Sequence, residues 1–232
     1  MSVDGMPLPA WKHSMPGGTG YPADAEAWNR WYTENDRGWA PASSSVRAML
    51  NGIAPGRALD LGAGDGRNAV WLAGRGWHVT AMDFSAEALD IGRGRAFAEG
   101  VTDLITWSVA DVTTCAPVRG SLNLVLAAFL HLPGPDLERV IARNAPGLAP
   151  GGLFLYTGHD PADPREGMAG TRDPSVLHDS AQVAAWARAS GLQVESAEIR
   201  SRPVPGARRP ALDCVVLARR PAAPAQSPPT AS

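Results

Sequence analysis

Between an apolar run and the opening of a helix, the chain reads Asp60-Leu61-Gly62-Ala63-Gly64-Asp65-Gly66. No other string in the sequence limits the fold as much. Three glycines at alternate positions permit a tight turn and let a ligand approach the backbone with no Cβ atoms in the way. Such a string on a surface loop carries little weight. Placed where a strand ends and a helix begins, it points to an open α/β sheet with a ligand crevice at the strand ends.

The rest of the chain follows that plan. Asp24 caps a short helix carrying Trp28, Trp31 and Tyr32, and the run Ser43-Ser44-Ser45 caps a second with Val46, Met49, Leu50 and Ile53 on one face. From Arg57 the pattern alternates. Strands are expected over 57–62, 77–83, 105–111, 121–129 and 151–157. Helices are expected over 67–76, 85–100 (Ser85 as cap) and 135–145, the last cut by Pro146. The continuous apolar run Leu124 to Phe129 within 121–129 suits a strand buried on both faces. After a polar loop over 158–178, Ser180 opens another helix, and 192–199 and 211–218 read as two closing strands. Alternation implies a parallel sheet covered on both faces, and two final strands with no helix between them imply an antiparallel edge. The fold class is therefore α/β, a Rossmann-like, mostly parallel sheet of about seven strands with an N-terminal helical lid. The expected organisation is one domain over 23–220. Within it, helices occupy 23–55 and an acceptor loop occupies 158–178, with flexible tails over 1–22 and 221–232.

Three carboxylates fall at the C-terminal ends of three consecutive strands. These are Asp60 beside the glycines, Asp83 about 20 residues beyond the loop, and Asp111. Asp83 is placed to accept hydrogen bonds from ribose hydroxyls, which suits NAD and S-adenosylmethionine (SAM) equally. Two details favour SAM. A dinucleotide loop spaces its last glycine one residue later, to bring a helix N-terminus to pyrophosphate. SAM has no phosphate but carries an ammonium, which Asp60 and the loop carbonyls can hold. Asp111 can accept from an adenine amino group.

Leu59 to Asn68 followed by Trp71-Leu72-Ala73 resembles class I SAM-dependent methyltransferases. The Gly66-Arg67-Asn68 continuation and Gly76-Trp77-x-Val79-Thr80-Ala81-x-Asp83-x-Ser85 look like the branch containing tellurite-resistance methyltransferases, with thiopurine methyltransferases more distant. The resemblance covers residues 25 to 160 and extends to Leu148-Ala149-Pro150-Gly151-Gly152 before the fifth strand. It implies that Asp60, Gly62, Gly64 and Gly66 surround the methionyl part of the cofactor, and that Asp83 takes the ribose with Phe84 near the adenine. It places Asp111 and the backbone of Val112 on the adenine edge and Ala127, Ala128 and Phe129 beneath the sulfonium. An aromatic N-terminal helix would close over the cofactor, bringing Trp28, Trp31, Tyr32 and Trp39 to a cation that π-faces suit. Ala127-Ala128-Phe129-Leu130-His131 stands where adenine-N6 and glutamine methyltransferases carry an Asn-Pro-Pro-Tyr-like string, so the expected acceptor is a small molecule.

The acceptor atom is left open between S, Se or Te and the O or N of a secondary metabolite. A hydroxyl needs a base where a thiol does not. The candidate bases are His131, His159 and, more weakly, His178, against the bland reading that each is structural. A SAM-binding protein without catalysis is the main alternative. A nucleotide-binding oxidoreductase is disfavoured by the glycine spacing and the lack of a Tyr-x-x-x-Lys pair. A formal charge of −2 gives no long-range pull towards nucleic acid or anionic membrane. Cys115 and Cys214 lack ligand-like spacing, so no metal is expected. There is no basic region followed by an apolar run at the N-terminus, so a cytoplasmic monomer or homodimer is expected.

Overall fold

The computed structural model describes residues 24–34, 40–163, 173–204 and 209–222. The expected N-terminal tail, residues 223–232 of the expected C-terminal one, Trp39 and the middle of the 158–178 loop lie outside the described residues. Two helices come first, α1 (Ala25–Glu34) and α2 (Ser44–Met49). Then follow β1 (Arg57–Leu61), α3 (Arg67–Ala73), β2 (His78–Asp83), α4 (Ala86–Ala98) and β3 (Ile105–Val109). The chain continues through β4 (Leu122–Ala128), α5 (Gly134–Asn144), β5 (Leu148–His159), α6 (Ser180–Ala189), β6 (Gln193–Arg202) and β7 (Ala211–Arg219).

The seven strands form one sheet in the order β3-β2-β1-β4-β5-β7-β6. The first five are parallel, and β7 runs antiparallel to both neighbours, β5 and β6. The antiparallel edge expected from two closing strands is thus made by the last strand entering between its two predecessors. The strand order reverses between β1 and β4, and the crevice at such a reversal is where ligands bind in open α/β sheets.

Alternation along each strand explains the two-layer cover. In β4, Val125 and Ala127 face a core made with Leu137, Val140 and Ile141 of α5 and Val183, Ala184 and Ala187 of α6. Leu124, Leu126 and Ala128 face the other core, with Val46 of α2 and Leu50 just after it, Ala69, Val70 and Leu72 of α3, and Leu89 and Ala96 of α4. Successive side chains point to opposite faces, so a strand that is apolar at every position from Leu124 to Ala128 must be covered twice.

Caps hold where the expected side chain reaches a free N–H. Asp24 accepts from the Ala27 N–H at 2.8 Å and Ser85 from the Ala88 N–H at 3.1 Å. Ser43 is a correction, because its hydroxyl caps nothing and is buried without a partner. Its backbone N–H instead donates to Asn68 Oδ1 at 3.0 Å. Strand β5 runs to His159, two residues further than the apolar pattern suggested, because Gly158 and His159 pair with Cys214 and Asp213 of β7.

Candidate active site

The glycine loop leaves β1 with all three glycines left-handed, at φ of 69° (Gly62), 54° (Gly64) and 72° (Gly66). Side chains other than glycine rarely adopt this region. The N–H groups of Gly62 and Ala63 both donate to the Met82 carbonyl at 2.9 Å, which fastens the loop to the end of β2. Space is as tight as the backbone. A Cβ on Gly64 would lie 2.6 Å from the Tyr32 hydroxyl, and one on Gly66 2.5 Å from the Trp107 ring.

In front of the loop is a cleft of about 710 Å³. Gly62, Gly64, Asp83, Phe84, Asp111, Val112, Phe129 and His131 line it, together with Trp28 and Tyr32 from α1. The in-line register of the parallel strands causes this convergence. Leu61 pairs with Met82 and Ala127, and Asp83 with Val109, so the ends of β1 to β4 stop at one level. Of the expected cofactor residues, Asp60, Gly66, Ala127 and Ala128 do not reach the wall. Ala127 and Ala128 are buried core residues, and Gly66 packs on Trp107 behind the loop.

Electrostatics distinguish the three acids. Asp60 is 1% exposed and neither carboxylate oxygen has a hydrogen-bond partner. Burial is the main cause that pushes its carboxyl up to about 7. Arg67 pulls against it, and the charges of Asp83 and Asp65 add to it. Asp83 is also raised by burial, but the N–H groups of Ser85, Gly64 and Phe84 draw it back. Its Oδ2 accepts from Gly64 and its Oδ1 from Ser85, each at 2.9 Å. The exposed Asp111 accepts from the Thr113 N–H at 2.8 Å and opens a short 3-10 turn.

This donor set fits SAM. A buried carboxylate with two unsatisfied oxygens is completed by an ammonium, because an uncompensated charge in such a place is costly. A glycine backbone with no room for Cβ atoms admits a close ligand. Asp83 and Asp111 offer acceptors at the level of the strand ends.

The histidines separate. His131 lines the cleft, and burial, with His159 and His178 beside it, pulls it down to about 3. It is a neutral imidazole at any ordinary pH. His159 does not line the cleft. Its ring stacks on His131 at 5.6 Å, and its Nδ1 is 3.8 Å from Oδ1 of the fully buried Asp213. Burial alone would raise Asp213, but His159 and Arg202 outweigh it and hold the carboxyl below its ordinary value. Arg202 donates to both Asp213 oxygens, at 2.6 and 3.1 Å. His178 does not line the cleft; it is 2% exposed, bonded through Nε2 to the Leu132 carbonyl at 2.9 Å and edge-on to Trp186. Its surroundings are those of a structural residue.

Phe129 is the one non-glycine residue with positive φ (57°) among the described residues. Its ring has the Arg67 guanidinium at 5.2 Å, that of Arg202 at 5.6 Å and His159 at 5.0 Å. Strained backbone held by its surroundings is concentrated at ligand sites. Sequence reasoning missed Leu130, Asp136 and Val176 on the cleft wall, and Arg202 and Asp213 behind it. A lone acid inside the apolar run Ala211 to Ala218 was the signal available for Asp213. No group of His, Cys, Asp and Glu among the described residues is arranged to hold a metal ion. No helix among them is long and apolar enough to cross a membrane.

Residues 58–152 match the family model described as a methyltransferase domain. A ubiquinone biosynthesis O-methyltransferase of Xanthomonas euvesicatoria pv. vesicatoria (strain 85-10) is 32% identical over 157 residues, covering 62% of this chain and 65% of that protein. The methyltransferase GfsG of Streptomyces halstedii is 31% identical over 97 residues, covering 41% of this chain and 35% of that one. The chain therefore spans less than two thirds of the length of these relatives. Among solved structures, one from work on the conversion of a disulfide bond into a thioacetal group during echinomycin biosynthesis superposes with a TM-score of 0.68. It has 20% identity and covers 85% of this chain and 92% of its own. A SAM-dependent methyltransferase of Methanosarcina mazei gives 0.63 at 13% identity, covering 79% of this chain and 100% of its own. The [4+2]-cyclase SpnF gives 0.62 at 18% identity, covering 93% and 88%. Likeness at these identities shows a shared fold.

Proposed function

We propose that this chain, whose residues 58–152 are a methyltransferase domain on a class I sheet, transfers a methyl group from SAM to a small-molecule acceptor. The observation that carries this is a left-handed glycine loop with Asp83 and Asp111 on the wall of its cleft and, next to the loop at the end of β1, Asp60, a buried carboxylate with both oxygens unsatisfied. Asp60 and the loop would hold the methionyl ammonium, Asp83 the ribose hydroxyls, and Asp111 with Val112 the adenine edge. When bound, SAM supplies a methyl group on a sulfonium leaving group. The chain's own work is then positioning and water exclusion, which contribute most in such a displacement. The aromatic rings of Trp28 and Phe129 and the imidazole of His131 line the cleft.

His131 bears on the acceptor. A phenol titrates near 10 and His131 is pulled down to about 3, so moving that proton onto it would be strongly uphill. Such an imidazole orients an acceptor but does not deprotonate a hydroxyl. This supports an acceptor that arrives with a free lone pair, such as a thiolate or related S, Se or Te anion. The resemblance of Gly66-Arg67-Asn68 to the tellurite-resistance branch agrees with that. The Xanthomonas relative, an O-methyltransferase by name, favours oxygen as the second reading. A SAM-binding protein without methyl transfer remains the alternative, since a [4+2]-cyclase shares the fold.

The deciding experiment is SAM turnover against a mixed panel of thiols, phenols and amines, read as a 14-dalton mass gain (one CH₂, about 14 by elementary mass). Methyl thioether products support the first reading and phenol methyl ethers the second. Binding of S-adenosylhomocysteine without any product supports the non-catalytic alternative. Calorimetry showing NAD binding and no S-adenosylhomocysteine binding refutes the cofactor assignment.

A further inference from the structure

Behind the glycine loop, away from the cleft, four polar side chains are buried together: Ser43 (5% exposed), Asp65 (5%), Asn68 (4%) and Arg95 (4%). None of them lines the cleft. Arg95 reaches from α4 in two directions. Its Nη2 donates to Asp65 Oδ2 at 3.3 Å, and its Nη1 donates to the Ala40 carbonyl at 3.0 Å. Beside it, the Ser43 N–H donates to Asn68 Oδ1. Two long-range polar ties therefore fix the segment around residues 40–43 to the loop and to the start of α3.

That segment follows α1 in the chain, and α1 forms one wall of the cleft through Trp28 and Tyr32. The Tyr32 hydroxyl stands over Gly64, at 2.6 Å from the position a Cβ would take. The N-terminal part of the chain thus meets the loop at two successive residues. It meets Gly64 from the cleft side through Tyr32, and Asp65 from behind through Arg95 and Ala40. A guanidinium is a planar fork with fixed donor directions. In a buried setting neither the Asp65 carboxylate nor the Ala40 carbonyl can move without leaving a charge or a donor unpaired.

We infer that Arg95 is a positioning residue that joins the seating of α1 over the cleft and the cofactor-binding shape of the glycine loop into one coupled equilibrium. The inference rests on the reading of the cleft as a SAM site. Coupling of this kind is reciprocal, so a ligand that orders the loop also seats α1, and loosening α1 weakens the ligand. A residue that merely braces the fold would stabilise α1 equally with and without ligand.

Amide hydrogen exchange on the full chain, with and without S-adenosylhomocysteine, separates the two. In the native protein the ligand is expected to slow exchange both in the loop, residues 62–67, and in α1. Arg95→Lys keeps a charge for Asp65 but cannot fork to Ala40. The ligand should still protect the loop in this variant, its protection of α1 should largely disappear, and its Kd should rise about five- to tenfold, the low end of site-to-site coupling. Arg95→Met with Asp65→Asn removes both charges and leaves no ion unpaired, so it gives the same reading if the lysine variant does not fold. Ligand-induced protection of α1 as large in either folded variant as in the native chain overturns the inference, even if the melting temperature falls. Absence of ligand protection in the loop of the native chain overturns the cofactor reading itself, and the coupling with it.

Discussion

Lowering the pH should weaken S-adenosylhomocysteine binding, because the group that would meet the ligand's ammonium is a carboxyl that takes up a proton near neutrality. Asp60 is pushed up to about 7. The ammonium pairs with the ionised carboxylate, so below that value binding must first expel a proton. For a bound-state value well under 5.5, the apparent Kd grows as 1 + 10^(7 − pH). That factor changes about 25-fold between pH 7.5 and 5.5, or roughly 2 kcal/mol. Unfolding would not mimic this effect. An Asp whose folded value is raised from 3.8 to about 7 destabilises the native state as the pH climbs through that window, by about 4 kcal/mol in total. The contribution is flat below 3.8 and flat again above 7, so at pH 5.5 Asp60 opposes folding less than at 7.5. Isothermal titration across the range, with Asp60→Asn as control, tests the sign and the size. The Asn variant should bind weakly at every pH with no slope from this position, and its ligand-free form should melt higher than the native chain at pH 8. A flat native profile, or an undiminished slope in Asp60→Asn, refutes the assignment of Asp60 to the ammonium.

Other expectations follow from neighbouring contacts. Asp83→Ala removes the acceptor of the Gly64 and Ser85 N–H groups, at about 1.5–3 kcal/mol per charged hydrogen bond, so the ligand Kd should rise tenfold or more in calorimetry while the far-ultraviolet circular dichroism stays native. Gly64→Ala drives a Cβ against the Tyr32 hydroxyl in a left-handed residue, and should reduce ligand affinity with a smaller loss in melting temperature. His178→Ala strands the Leu132 carbonyl and unpacks Trp186, so it should destabilise the fold by about 1–3 kcal/mol in urea titrations. His131→Ala, which also removes a buried ring, should raise the KM for the acceptor in steady-state assays, a readout that His178→Ala should leave unchanged. Equal effects of the two histidine variants on both readouts would show that the cleft does not distinguish them.

Legibility in the sequence tracked how local the cause was. Strand and helix positions were readable because each is set by a run of a few residues and its flanking glycines, as in Leu122 to Ala128 or Gly62 to Gly66. Asp83 and Asp111 were placed at strand ends by spacing, Phe84 and Val112 came with the family resemblance, and the structure lines all four along one cleft. Long-range pairings left no such trace. Arg95 sits in Gly92-Arg93-Gly94-Arg95, which reads as a solvated helix face until Asp65 and Ala40 are brought to it from 30 and 55 residues away. The three histidines look alike in sequence, and only the packing of Trp186 and Leu132 against His178 sets it apart from His131. Trp39 and residues 164–172 lie outside the described residues, so the lid and loop roles expected of them stay expectations.

The strand order has a consequence for how the domain is assembled. Among the described residues, β6 pairs with β7 alone, and β7 is the only strand on the outer edge of β5. A nascent chain extended just past Arg202 therefore holds a finished parallel half-sheet whose β5 edge offers unpaired N–H and C=O groups, with a strand beside it that has nowhere to dock. Open edges of this kind recruit other chains, and domains made from the N-terminus onward pass through such stages during synthesis. The last strand acts as a wedge that must enter between two elements already made. A stop codon or proteolytic cut before Ala211 would accordingly not trim an outer strand. It would leave two separate edges exposed at once, and aggregation of the truncated chain, rather than a slightly smaller soluble domain, is the outcome to look for in cells.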